Sequence, residues 1–352
     1  MKRSVSLLFI ALAALVPRVI QSSQPDSYDV FIDYTTNNGP DTLYFVDLRS
    51  GLSTVVPATG TDYMLLDNGV IFHDRQRKLP TEASPDGEIA PVSFMSPDKT
   101  SAWAASTDGR WITWSESHTE AGSLLVDLFV AHADGSSKQL ALHTSSSKAI
   151  GLRPLAISRD GQTLYYTRQN NTPSVSAAFP TANDLYRVTV TGGQFTHLPG
   201  EPRCACGAAF SADGHLFFRL ESTPQGYAAH FIDPVANTDI KIDPPTLPSG
   251  FTIGQAGDAL LSDNGSTAVY VIDTGAGSKM QQYVLVLADL TQHKQQIIVL
   301  PRTDHLQPIA FETDTLLVTI VGKGGTYRMP ISGGDLAQLS ADVYLGTIGL
   351  SG

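Results

Sequence analysis

The sequence predicts an all-β protein, a single ring of repeated four-stranded sheets. Three observations predict it. A tight turn of the form Ser-x-Asp-Gly returns along the chain. Short apolar runs flank each copy. No segment carries the 3.6-residue periodicity of a convincing amphipathic helix. With 30 Gly and 21 Pro in 352 residues, and 42% of residues hydrophobic, the chain has both the breaks and the apolar mass for many short strands around a core.

The repeat is clearest in residues 154–198. An apolar run meets the turn Ser158-Arg159-Asp160-Gly161, and a second run with Leu164 and Tyr166 follows. After a connection come the run 185–190, a turn at Gly192-Gly193 and a last run to Leu198. That is two hairpins, hence four antiparallel strands. The first hairpin recurs at Leu66-Asp67-Asn68-Gly69, Ser106-Thr107-Asp108-Gly109, Ser211-Ala212-Asp213-Gly214 and Ser262-Asp263-Asn264-Gly265, and in degenerate form at Glu312-Thr313-Asp314-Thr315. Gly accepts positive φ, and Asp or Asn bonds its own backbone, so the motif is turn chemistry. From Asp108 onward the copies lie about 50 residues apart, as in rings built of four-stranded blades. The second hairpin recurs near Ser50-Gly51, Asp134-Gly135, Asn237, Asp289 and Gly333-Gly334.

The ends complete the pattern. Val30-Phe31-Ile32 reads as the second strand of a blade, and residues 342–350 read as a first strand without a partner. Pairing the two closes the ring and removes exposed edges. The prediction is therefore a single β-propeller of seven four-stranded blades, closed by the C-terminal strand. Residues 77–105 hold two competing turns, Ser84-Pro85-Asp86-Gly87 and Ser96-Pro97-Asp98-Lys99. Splitting that region differently gives six or eight blades.

Residues 1–24 read as a signal peptide and residues 25–352 as the propeller domain. Lys2 and Arg3 precede an apolar stretch over residues 4–16, the length of a secretion h-region and too short to span a bilayer. The expected location is periplasmic or extracellular, with no transmembrane segment in the mature chain. The formal charge is −11, and loss of Lys2, Arg3 and Arg18 leaves the mature chain more acidic still. Such a surface repels phosphate backbones, which argues against a nucleic-acid partner.

The repeat, carried by Ser158-Arg159-Asp160-Gly161, Leu185-Tyr186-Arg187-Val188 and Gly192-Gly193, resembles the WD-like propeller repeat of TolB, the periplasmic protein of the Tol–Pal system. It is also similar to the propeller domains of dipeptidyl-peptidase and tricorn-type proteins. The resemblance implies the fold over residues 28–352 and leaves function open. TolB carries an α/β domain before its propeller and the peptidases carry a hydrolase domain; neither is found in this sequence, so neither whole-protein function transfers.

Motifs for chemistry are sparse. There is no Gly-x-Ser-x-Gly elbow, no phosphate loop, no His-Glu-x-x-His pair and no Asp-x-Asp-x-Asp-Gly calcium loop. The nine histidines are scattered. No cofactor and no metal is called for. Cys204-Ala205-Cys206 places two thiols on one side of a strand, a candidate redox pair beside Arg203.

The loop lengths point to one face. Connections 116–124, 169–183, 221–227 and 273–281, between second and third strands, read as long, as do the inter-blade connections 143–152, 200–206, 244–251 and 301–305. Both sets emerge on one side of a propeller, and long loops on a rigid scaffold carry function. That side presents His118, Phe179, Arg203, Tyr227, Lys279, Arg302, Asp304 and His305 as candidate ligand contacts. The expectation is a scaffold that binds a protein, a peptide or a glycan. The alternatives are an enzyme with a channel site, such as a propeller lyase or glycoside-acting enzyme with His305, Asp304 and His118 as its first candidates, and a sensor or structural subunit of an envelope complex.

Overall fold

Blade 1 is made from both ends of the chain. Its order is β28 (Val343–Gly349), β1 (Ser27–Asp33), β2 (Asp41–Asp47), β3 (Ser53–Ala58), with β28 innermost and antiparallel to β1. The structure is a computed structural model and describes residues 27–35, 39–146, 150–170, 179, 184–198, 207–251, 253–274 and 281–349. The segment read as a signal peptide lies outside them.

The other blades follow in chain order. Blade 2 is β4 (Gly60–Leu65), β5 (Val70–Asp74), β6 (Leu79–Ala83), β7 (Ile89–Pro91). Blade 3 is β8 (Thr100–Ala105), β9 (Trp111–Glu120), β10 (Ser123–His132), β11 (Gln139–Ser146). Blade 4 is β12 (Ile150–Ile157), β13 (Thr163–Asn170), β14 (Leu185–Thr189), β15 (Gln194–His197). Blade 5 is β16 (Ala208–Phe210), β17 (Phe217–Thr223), β18 (Gly226–Asp233), β19 (Thr238–Ile242). Blade 6 is β20 (Ile253–Leu261), β21 (Thr267–Thr274), β22 (Gln282–Asp289), β23 (Lys294–Arg302). Blade 7 is β24 (Leu306–Glu312), β25 (Thr315–Ile320), β26 (Gly324–Pro330), β27 (Ala337–Ser340). The chain is a seven-bladed β-propeller. No helix occurs among the described residues, and so none long and apolar enough to cross a membrane.

The recurring turn works as a small machine. In blades 3 to 6 the Ser hydroxyl donates to the Asp or Asn Oδ1 two residues on, at 2.5–2.8 Å. The same hydroxyl accepts the N–H five residues on, at 2.9–3.0 Å. The glycine N–H closes the turn onto the Ser carbonyl. Each of these glycines has φ near +70° and also lies against the preceding blade. A Cβ on Gly161 would stand 2.5 Å from the Trp111 ring, and one on Gly214 would stand 2.8 Å from Ser158 Cβ. Glycine is therefore required twice, by its backbone and by its neighbour.

The two competing turns in residues 77–105 are both real turns. Ser84-Pro85-Asp86-Gly87 joins β6 to β7, with Ser84 Oγ bonded to Asp86, so it serves a second hairpin. Ser96 opens the entry to blade 3, its N–H and Oγ donating to Glu116 at 3.1 and 2.6 Å. That allocation gives seven blades.

Apolar side chains fill the spaces between blades. Trp114, Ile112 and Leu66 pack between blades 2 and 3, and Phe218, Tyr270 and Val286 between blades 5 and 6. The junction of blade 7 with blade 1 is tied by hydrogen bonds: Thr326 Oγ1 donates to the Asp342 carbonyl at 2.7 Å and accepts from Tyr344 N–H at 2.8 Å.

One sequence expectation is corrected. Residues 116–124, 143–152, 221–227 and 301–305 are not long loops: β11 and β12 leave only three residues between them, as do β23 and β24. The strands of β9–β10 and β17–β18 run on as ribbons to two-residue turns, with Ala121 (φ 48°) and Gly122 (φ 81°) at the first. Their polar ends, such as Thr119 and Glu120, are exposed, and so lack the apolar alternation that marks a strand.

Candidate functional site

The side chains with most chemistry gather where blades 6 and 7 meet, on the face of the second-to-third-strand and inter-blade connections. Strand β20 is interrupted by a bulge between Gly257 and Leu260. Asp258 sits in it with φ at +47°, a left-handed conformation that Asp tolerates better than most residues. The bulge turns its carboxylate toward His305, in the connection from β23 to β24. The His305 Nε2 and Asp258 Oδ2 are 2.7 Å apart, and the two side chains are only 13% and 11% exposed.

Two aromatic rings hold the imidazole. Tyr283 of β22 stacks on it at 4.5 Å and 13°, and Phe179 meets it edge-on at 5.2 Å and 89°. Phe179 belongs to the connection from β13 to β14 in blade 4, so it reaches the site from two blades away. It is 2% exposed. Gly257 leaves it room: a Cβ there would stand 2.3 Å from Phe179 Cβ.

A row of polar groups runs across blade 6. Asp273, Tyr283 and Arg302 face one another on β21, β22 and β23. Asp273 is 2% exposed. Its Oδ2 accepts from Gln281 Nε2 at 3.0 Å, while its Oδ1 has no partner. Burial raises the Asp273 pKa, partly countered by Gln281 and His305. Burial, then Asp273 and Asp258, raises that of Tyr283. Arg302 donates through Nη2 to Asp304 Oδ2 at 2.5 Å, and Lys323 Nζ donates to the other oxygen at 2.5 Å. Lys323 and Arg302 hold the Asp304 carboxyl below its usual range. The Arg302 Nε is buried without a partner. Val271, Leu285, Val299 and Leu306 pack close to Tyr283, Arg302 and Asp304.

Four residues singled out in the sequence meet here: Phe179, Arg302, Asp304 and His305. Asp304 does not pair with its neighbour His305; it braces Arg302 and Lys323, and Asp258 takes the histidine. His118 lies apart on the blade 3 ribbon, its Nε2 4.0 Å from Glu120. Tyr227 is buried in the core of blades 5 and 6, its hydroxyl donating to the Gly254 carbonyl at 2.7 Å, so its ring packs inward instead of facing solvent. Arg203, Lys279, Cys204 and Cys206 lie outside the described residues. Sequence reasoning missed Asp258, Asp273, Tyr283 and Lys323. A Gly-Asp pair inside the apolar run of β20 was the available signal for the bulge. Among the described residues no group of three or more His, Cys, Asp or Glu side chains is arranged to hold a metal ion.

The opposite mouth is bridged. Arg159, on the first turn of blade 4, donates through Nε to Thr107 Oγ1 of blade 3 and through Nη2 to Asp263 Oδ2 of blade 6, each at 2.9 Å. One side chain thus joins blades 3, 4 and 6.

No family model and no curated protein matches the chain. Solved structures do. A prolyl endopeptidase structure is similar over 94% of this chain with 14% identity and a TM-score of 0.60. The chain spans about half of that protein, 51% of its length. An oligogalacturonate lyase from Vibrio parahaemolyticus is similar over 83% of this chain and 82% of its own, with 10% identity and a TM-score of 0.55. A putative TolB from Agrobacterium tumefaciens aligns over 80% of this chain and 92% of its own, with 14% identity and a TM-score of 0.42. For the first two, at these identities, the likeness is one of fold.

Proposed function

We propose that the protein is an exported propeller that binds a protein, peptide or glycan ligand at the mouth between blades 6 and 7. One observation carries the reading. Phe179 from blade 4 and Tyr283 and Asp258 from blade 6 converge there around His305. A few convergent polar groups set among aromatic rings, on the face that carries the longer connections, are what a binding site presents. Export rests on Lys2, Arg3 and the apolar stretch that follows. The location is the periplasm or the medium.

The test is capture from the envelope and medium of the exporting cell with the mature chain as bait, beside His305→Ala and Tyr283→Ala. The reading expects a ligand retained by the parent chain and lost by both variants. Equal retention by all three moves the site elsewhere. Fractionation with and without residues 1–24 tests export separately.

A second reading, catalysis, is favoured by one feature. If the Nε2–H of His305 is spent on Asp258, its Nδ1 is left as a proton acceptor, the orienting arrangement of an acid–base histidine. Turnover of a captured glycan or peptide, abolished in His305→Ala, would establish it.

A further inference from the structure

Each blade ends in an outer strand with one unpaired edge, and in six of the seven that edge is blunted. β7 has three residues and ends in Pro91, and β15 and β27 have four. β19 carries Asp239 and Lys241. β11 and β23 are interrupted by bulges. Short, charged or bulged edges resist the addition of a further strand. β3 differs: its six residues keep one register with β2, and none is charged. The Asp47 N–H donates to the Leu52 carbonyl at 2.9 Å, so Thr54, Val56 and Ala58 bond to β2, while Ser53, Val55 and Pro57 turn their backbone groups outward. Pro57 has no N–H to lose there. Among the described residues the N–H groups of Ser53 and Val55 have no hydrogen-bond partner. Val55 is 53% exposed, and Leu48 and Leu52, in the turn that enters β3, are 53% and 74% exposed.

The charges at the two ends of this edge are opposite. Beside its first residues stands the β6–β7 turn, with Asp86 and Glu88 both exposed; a Cβ on Gly87 would lie 3.6 Å from Thr54 Cγ2. Beyond its last residue the Thr59 carbonyl accepts the Arg75 N–H at 2.9 Å, at the start of an exposed turn that holds Arg75, Arg77 and Lys78. Arg77 leans on Asp74 at 3.8 Å, which leaves that turn net positive. An antiparallel neighbour of the same sequence would set the acidic end of one edge against the basic end of the other, the self-complementarity that a two-fold axis requires. We propose that two copies of the chain pair antiparallel through β3, with Val55 opposite Val55 on the two-fold axis. The two Val55 residues exchange a pair of N–H···O bonds, and each Ser53 N–H donates to the Pro57 carbonyl of the other copy. Blade 1 of each ring, four strands on its own, becomes half of one continuous sheet. The apolar Val55 side chains meet across the axis. The net charge of −11 opposes association at long range, but at physiological salt it is screened beyond about 8 Å, whereas the oppositely charged ends meet directly.

The test is sedimentation velocity of the chain without residues 1–24 at physiological salt, beside Val55→Pro, Val55→Lys, Arg75→Glu, and Arg75→Glu combined with Glu88→Arg. The Val55 N–H makes no bond within the ring, so proline there costs no ladder bond, and melting temperatures establish that each variant is folded. The expected result is a species of twice the monomer mass at about 100 μM chain, giving way to monomer near about 1 μM. Val55→Pro removes the central pair of bonds and Val55→Lys puts a charge on the axis; each should raise the dissociation constant by about tenfold or more. Arg75→Glu should weaken the dimer, and adding Glu88→Arg should restore it, because the two-fold axis sets these positions against each other. The proposal is overturned by a monomer at about 100 μM, by a dimer unchanged in folded Val55→Pro and Val55→Lys, or by a double variant no tighter than Arg75→Glu alone. A monomer whose capture of a protein from the medium depends on Val55 would overturn the second copy as occupant and leave the edge to a foreign strand.

Discussion

His305 and Asp258 are 47 positions apart in sequence, yet the imidazole Nε2 lies 2.7 Å from the carboxylate Oδ2 in a nearly closed environment. The bond depends on Asp258 holding a left-handed backbone in the β20 bulge. Asp258→Ala removes the acceptor and puts a less tolerant residue at φ +47°. It should cost about 2–4 kcal/mol, the sum of an unpaired buried donor and the left-handed penalty. Asp258→Asn keeps an acceptor and should cost much less. Urea unfolding of the two variants checks the difference.

The double requirement for glycine in the repeat turns gives a paired test. Gly161 and Gly51 have the same φ, +69° and +70°. A Cβ on Gly161 meets the Trp111 ring, whereas one on Gly51 meets nothing within 4 Å. Gly51→Ala should cost about 1 kcal/mol, from backbone strain alone. Gly161→Ala adds a clash between blades and should cost at least about 2 kcal/mol more. Equal losses in thermal unfolding would mean the inter-blade contact is unimportant.

Glu82 supplies a pH dependence of known sign. Burial, with Asp67 nearby, pushes its pKa up to about 7 from 4.5. Between these values the folded chain keeps a proton that the unfolded chain has released. Glu82 therefore favours folding most fully below about 4.5, and this contribution is lost as pH rises toward about 7. Glu82→Gln should remove that slope and make the protein more stable than the parent at pH 8. Paired melting curves at pH 5 and pH 8 measure it.

Lys138 is set over aromatic rings. Its Nζ lies 5.0 Å from the Trp114 ring and 4.5 Å from that of Phe129, and donates to the Phe94 carbonyl at 2.7 Å. Lys138→Met keeps most of the stem and deletes the charge. The expected loss is about 1–2 kcal/mol, read by chemical unfolding at low and high salt.

The propeller was legible because its signals are local. Ser158, Asp160 and Gly161 make their turn within a few residues, and the same chemistry returns blade after blade. Ambiguity arose at Ser84 and Asp86 for the same reason, since an identical local bond serves a different hairpin there. The polar ribbon ends at Thr119 and Glu120 read as loop because strand pairing, and not burial, holds them. The candidate site was legible only in its loop residues. Phe179 and His305 stood out by position, but Asp258 and Asp273 lie inside strands. Their role appears only when a bulge or a cross-strand neighbour turns them toward groups tens of residues distant.

Ser27 stands opposite Gly349 in the ladder of blade 1, so the first and last strands of the ring lie side by side. The ring therefore has no privileged point of origin. A circular permutant, with a short linker joining these two residues and new termini opened between Ala121 and Gly122, should assemble the same architecture and melt in one cooperative step. Failure to do so would mean that the order in which blades leave the ribosome, and not the closed geometry alone, governs how this protein reaches its native state.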